Sequence, residues 1–135
     1  MNFIQSGKAR KSYLIFAAFA TSAVMLTLAQ APIGWWPLAW VGYVPFILAC
    51  SRCEKTTPDP FFYLSAYIVG AFYWLGNIYW MSFTTVAGWI AFCLWTALLW
   101  PILAVSIKWC RGKRIPLVIT VPVLVVGIEQ SQGLF

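Results

Sequence analysis

The chain has 135 residues, of which 62% are hydrophobic and only 9% charged, with a net charge of +6 and no histidine. A soluble domain carries roughly 25% charged residues, so this composition excludes a chain solvated mainly by water and reads as an integral membrane protein. All nine Lys and Arg fall in three short clusters between apolar runs, which excludes a basic nucleic-acid face and points to a topological role.

Residues 1–12 are polar and carry Lys8, Arg10 and Lys11, and 13–30 is an apolar run near the roughly 20 residues that cross the hydrocarbon at 1.5 Å per residue. This predicts a first transmembrane helix behind a basic tail. A secretory signal is the rival reading, because Ala29-Gln30-Ala31 mimics a cleavage site. However, Pro32 would follow the cut and the apolar run exceeds a usual signal core. Next comes Pro32-Ile33-Gly34-Trp35-Trp36-Pro37, two tryptophans between two prolines, which reads as a hairpin tip at the membrane surface. A short second helix follows over 36–50, with Pro37 in its first turn and a bend at Pro45.

Arg52, Glu54, Lys55 and Asp59 make a polar loop that ends Thr57-Pro58-Asp59-Pro60. The third helix, 61–80, places Tyr63, Tyr67, Gly70, Trp74, Asn77 and Met81 on one stripe by their alternating spacing of four and three. Such a stripe of aromatic and small residues packs helix against helix; contact with substrate is the alternative. Residues 82–86 are uncharged, and a fourth helix is expected over 88–108 with Pro101 inside it. Lys108, Arg111, Lys113 and Arg114 close that run, and a fifth helix is expected over 115–134 with Pro116, Pro122 and Glu129.

The basic residues divide three, two and four among the first, third and fifth polar segments and are absent from the two turns between. The positive-inside rule then predicts an all-α protein of about five transmembrane helices, amino terminus cytoplasmic and carboxy terminus periplasmic. Trp35, Trp36 and Trp80 fall on the outer side, where interfacial tryptophans keep the indole N–H wet.

The reactive inventory is thin. Without histidine there is neither an imidazole base nor a histidine-rich metal site, and no cofactor or metal is expected. Cys50-Ser51-Arg52-Cys53 has the spacing of a redox or zinc half-site, but it stands without a second pair at a reducing edge and reads as structural. Cys93 and Cys110 have no visible activating partner. Glu129 is the one acidic residue within an apolar run. Fourteen residues beyond Ile115, or about 21 Å along a helix, puts it in the outer leaflet, where an ionisable group is either a functional site or a member of the wet helix end with Gln130 and Gln132.

The segment Leu28-Ala29-Gln30-Ala31-Pro32-Ile33-Gly34-Trp35-Trp36-Pro37-Leu38-Ala39-Trp40-Val41 with Val44-Pro45, then Gly70 and Gly76-Asn77-Ile78-Tyr79-Trp80, and finally Pro122, Glu129 and Gly133, resembles the amino-terminal membrane part of bacterial apolipoprotein N-acyltransferase. The likeness runs from about residue 14 to 135. The family pattern has an arginine three residues after the glutamate, where this chain has Gln132.

The resemblance implies an inner-membrane enzyme that moves an acyl chain from a phospholipid to the α-amino group of the diacylglyceryl-cysteine heading a lipoprotein. It implies a thioester on a cysteine, assisted by a glutamate and a lysine, in a nitrilase-like domain outside the cytoplasmic membrane. None of Cys50, Cys53, Cys93 or Cys110 matches that nucleophile, and this stretch is expected to be inactive alone. Its lipid-facing candidates are Trp35, Trp36, Asn77, Tyr79, Trp80 and Glu129, with phospholipid donor and lipoprotein acceptor as partners. A noncatalytic membrane scaffold or a small transporter subunit is the alternative, although a transporter would show repeated halves or midplane charges, and neither is seen.

Overall fold

The computed structural model describes the backbone of residues 2–30, 32–52, 60–113 and 115–133, and their side chains except those of 2–9, 117, 118, 128, 129 and 131–133. Every regular element among the described residues is helical: α1 (Asn2–Ala29), α2 (Pro37–Val41), α3 (Val44–Arg52), α4 (Pro60–Asn77), a short 3₁₀ helix (Tyr79–Phe83), α5 (Val86–Ala97), α6 (Leu99–Gly112) and α7 (Leu117–Gly133). The basic segment before Tyr13 is thus a continuation of α1, because residues 2–12 contain no proline to stop it. The polar loop with Cys53, Glu54, Lys55 and Asp59 lies outside the described residues.

Two runs expected to form single helices are divided, and proline accounts for both breaks. Pro45 has no N–H for the carbonyl of Val41, and Val41 is the last residue of α2. Pro101 stands in the same relation to Ala97, the last residue of α5. The first break spans Gly42 and Tyr43, so the expected 36–50 helix becomes α2 and α3. The second is the single residue Leu98, so the expected 88–108 helix becomes α5 and α6 around a bend. α7 continues through Pro122.

The expected 61–80 helix ends instead at Asn77. Its amide donates back to the Tyr73 carbonyl at 2.8 Å and the chain tightens into the 3₁₀ turn.

Among the described residues two stretches are long and apolar enough to cross a membrane, Arg10–Ala29 and Val86–Gly112, the second being α5 and α6 together. The outside of the bundle is as apolar as its inside: Phe72 and Trp95 are each 73% exposed and Val123 65% exposed. A water-soluble bundle turns such residues inward, whereas in lipid they are at home.

The core lies where α1, α3, α4 and α6 meet, and each contributes one large ring. Phe19 packs on Phe46 with centroids 4.7 Å apart and on Phe62 at 5.3 Å, and Phe46 meets Trp100 edge-on at 5.4 Å. The buried line of α4 is Phe62, Ser65, Ala66, Val69 and Gly70, so the sequence stripe forms one margin of the packed face. Gly70 alone of the stripe is fully inside. A Cβ there would stand 2.7 Å from ring atoms of Trp100, so only glycine lets α6 approach this closely. Tyr67 reaches α5 by donating its hydroxyl to the Leu94 carbonyl at 3.4 Å.

Hydroxyls within the apolar helices are satisfied locally. Ser65, Thr96 and Thr120 donate to the carbonyls four residues before them at 2.6 to 3.0 Å. Ser22 instead serves a different helix. Its buried Oγ accepts the N–H of Phe46 at 2.8 Å, satisfying a donor that the first turn of α3 cannot use internally.

Candidate functional site

α1 and α4 run in the same direction and are tied at their carboxy-terminal ends. The Gln30 amide donates to the Tyr73 hydroxyl at 2.6 Å, and the Asn77 amide donates to Thr27 Oγ1 at 3.0 Å. This end of the bundle carries the tryptophan turn. Gly34 has φ +68°, a left-handed conformation that a side chain would strain, and its N–H is held by the Gln30 carbonyl at 2.9 Å. The chain therefore reverses at once after α1. Pro37 then opens α2 with φ already set for a helix, and Trp35, Trp36 and Trp40 are left exposed.

Tyr79 and Trp80 follow Asn77 at the same end and are exposed. The Tyr79 ring turns toward its own segment, meeting Phe83 at 5.5 Å and Trp89 of α5 at 6.0 Å. Of the residues singled out from the sequence, Trp35 and Trp36 thus sit on one turn and Asn77, Tyr79 and Trp80 on another, joined through the Asn77–Thr27 bond. Glu129 lies in the last part of α7. Its side chain is outside the described set.

Beneath the tryptophan turn a cleft of about 510 Å³ opens between α1, the α2–α3 break and α7. Its walls include Leu26, Trp40, Val44, Val121 and Val125, and its polar lining is Gln30, Tyr43 and Tyr73. A second cleft of about 310 Å³ runs along α1 and α4 past Phe16, Val24 and Phe72. Both suit hydrocarbon chains, and Gln30, Tyr43 and Tyr73 give the first its hydrogen-bonding groups. Sequence reasoning missed Thr27, Gln30 and Tyr73 as members of this end, because none is charged and their partners are 43 and 50 positions away.

At the opposite end stand the described basic residues. Lys11 and Arg52 line one groove, and Lys108 Nζ lies over the rings of Phe62 and Tyr63 at 5.1 and 5.5 Å. Arg111 lies in the last turn of α6 and Lys113 caps it. Cys50, Cys93 and Cys110 are buried in the helices, whereas Cys53, the other half of the Cys50 spacing, lies outside the described residues. Among the described residues no three His, Cys, Asp or Glu side chains come together to hold a metal.

No curated protein and no solved structure matches the chain. The family model described as apolipoprotein N-acyltransferase N-terminal domain matches residues 22–135, a span that begins at the Ser22 cap of α3 and takes in the tryptophan turn, the Asn77 tie and Glu129. With most of its length covered, and with apolar helices long enough for a bilayer, the chain belongs to the apolipoprotein N-acyltransferase N-terminal domain family.

Proposed function

We propose that this chain is the membrane platform of an apolipoprotein N-acyltransferase, crossing the bacterial cytoplasmic membrane about five times with its amino terminus in the cytoplasm and its carboxy end on the periplasmic side. The observation that carries the reading is the family match over residues 22–135. The orientation is supported by the gathering of the described basic residues Lys11, Arg52 and Lys108 at the end opposite the turns that carry Trp35, Trp36, Tyr79 and Trp80.

In this reading a phospholipid acyl donor and the diacylglyceryl-cysteine of a lipoprotein approach through the bilayer and settle against the tryptophan end. The apolar walls of the 510 Å³ cleft receive hydrocarbon, and Gln30 and Tyr73 offer hydrogen bonds at ester height. The set proposed to meet these substrates is Trp35, Trp36, Asn77, Tyr79, Trp80 and Glu129.

The covalent steps belong to groups outside this stretch. Acyl transfer needs an exposed nucleophile beside a base and donors for the developing oxyanion, whereas the cysteines among the described residues, Cys50, Cys93 and Cys110, are 1%, 0% and 7% exposed and the chain has no histidine. The test is Glu129→Gln in an enzyme that carries this segment joined to its catalytic domain. Acyl transfer to a diacylglyceryl lipopeptide should fall while membrane insertion and abundance hold. Unchanged transfer would remove Glu129 from the site, and parallel loss of transfer and abundance would make it a folding residue.

A further inference from the structure

The groove between α1 and α3 at the basic end carries chemistry that acyl transfer at the tryptophan end does not use. Lys11 on α1 and Arg52 in the last turn of α3 both line it, and the rest of its wall includes Leu14, Ala18, Pro45 and Leu48. It encloses about 280 Å³, just under the roughly 300–1,000 Å³ of sites that enclose a small molecule. That is room for a stretch of hydrocarbon chain and not for a whole lipid. Leu14 and Leu48 stay 59% and 49% exposed, so the groove opens sideways into the space that a bilayer fills. Its width is fixed from above, because the Phe46 N–H bond to Ser22 holds α3 against α1.

Two cations from different helices over an apolar slot match one chemistry. A phosphodiester accepts N–H bonds from the guanidinium and the ammonium, and the attached acyl chain lies along Leu14 and Leu48. A zwitterionic lipid would bring its own ammonium against the same pair, and a soluble anion would leave the slot empty. We propose that this groove binds one anionic phospholipid of the leaflet at the basic end, separate from any acyl donor at the tryptophan end. The proposal rests on the membrane reading of the helices and not on acyl transfer.

The test is native mass spectrometry of the chain in detergent with phosphatidylglycerol or phosphatidylcholine added. One phosphatidylglycerol should be retained in preference. Arg52→Gln and Lys11→Gln should each weaken that first adduct about five-fold, the share of one cation near an anionic headgroup. Leu48→Trp, which keeps both charges and fills the slot, should abolish it, and Arg52→Lys should keep most of it. Arg111→Gln removes the same charge from α6 outside the groove and should leave the adduct intact. Equal weakening by Arg111→Gln would reduce the effect to diffuse attraction and overturn the site. Equal uptake of phosphatidylcholine, or displacement by inorganic phosphate at matched ionic strength, would overturn it as well. Circular dichroism of each variant separates lost fold from lost ligand. A chain that stays monomeric in water without detergent refutes the membrane reading itself, whereas a detergent-requiring chain that takes up no phosphatidylglycerol refutes only the groove.

Discussion

Replacing Ser22 by alanine removes one oxygen atom and strands the N–H of Phe46 at the start of α3. Ser22 is fully buried and its bond to that N–H is 2.8 Å long, so water cannot take over the donor. A buried donor left without a partner costs about 1–3 kcal/mol in soluble proteins. Interhelical bonds in membrane proteins are worth less, averaging about 0.6 and reaching about 1.7 kcal/mol, because the unfolded chain finds other partners in lipid. Pro45 limits that relief here, since it denies the first turn of α3 an alternative start. We therefore expect Ser22→Ala to destabilise the bundle by about 1–2 kcal/mol, a shift of roughly 5- to 30-fold in the folded-to-unfolded ratio. Thr21→Ala is the matched control, because Thr21 is exposed and its hydroxyl only donates to the Ala17 carbonyl within α1; it should change stability by less than about 0.5 kcal/mol. Reversible unfolding in mixed micelles, followed by tryptophan fluorescence, measures both. Ser22→Ala within about 0.3 kcal/mol of the parent would refute the idea that α1 caps α3.

Gly70→Ala should cost about 1–3 kcal/mol by overpacking against Trp100, and pairing it with Trp100→Leu should recover part of that loss; simple additivity of the two would rule out the contact as the cause. A reporter active only outside the cytoplasm should be active when placed after Phe135 or near Thr85 and silent near Thr56, and the reverse at any of the three would overturn the orientation. The chain mixed alone with phospholipid and a diacylglyceryl lipopeptide should give no acylated product and no acyl-cysteine adduct by mass spectrometry, and an adduct on any cysteine would overturn the assignment of the covalent steps to groups outside this stretch.

The broad plan was legible because a bilayer imposes few solutions. Apolar runs of the right length must be helical, and every regular element among the described residues is. The breaks were half legible: Pro45 and Pro101 were visible, but a proline acts on the carbonyl four residues behind it, which moves the discontinuities to Gly42 and Leu98. The stripe on α4 identified Gly70 correctly as a packing residue but missed Phe62 and Val69. Helix–lipid and helix–helix faces are equally apolar in this composition, so periodicity does not tell them apart. The Gln30–Tyr73 and Asn77–Thr27 bonds were beyond reach, since each joins neutral side chains from helices far apart in the chain.

The ring cluster at the centre of the bundle also sets a schedule for biogenesis. Phe19, Phe46 and Phe62 come from the first half of the chain, but Trp100, which abuts Phe46 and occupies the space that Gly70 leaves, is synthesised 54 positions after Phe46. Gly70 precedes Trp100 by 30 positions, so at about 5–20 residues per second the notch stays unfilled for roughly 1.5 to 6 seconds. During the wait, α1 and α3 are held together by Phe19 against Phe46 and by the Ser22 bond, contacts complete as soon as α3 has formed. A nascent chain arrested before Trp100 would present α1, α3 and α4 with an open seam beside Phe46 and Gly70.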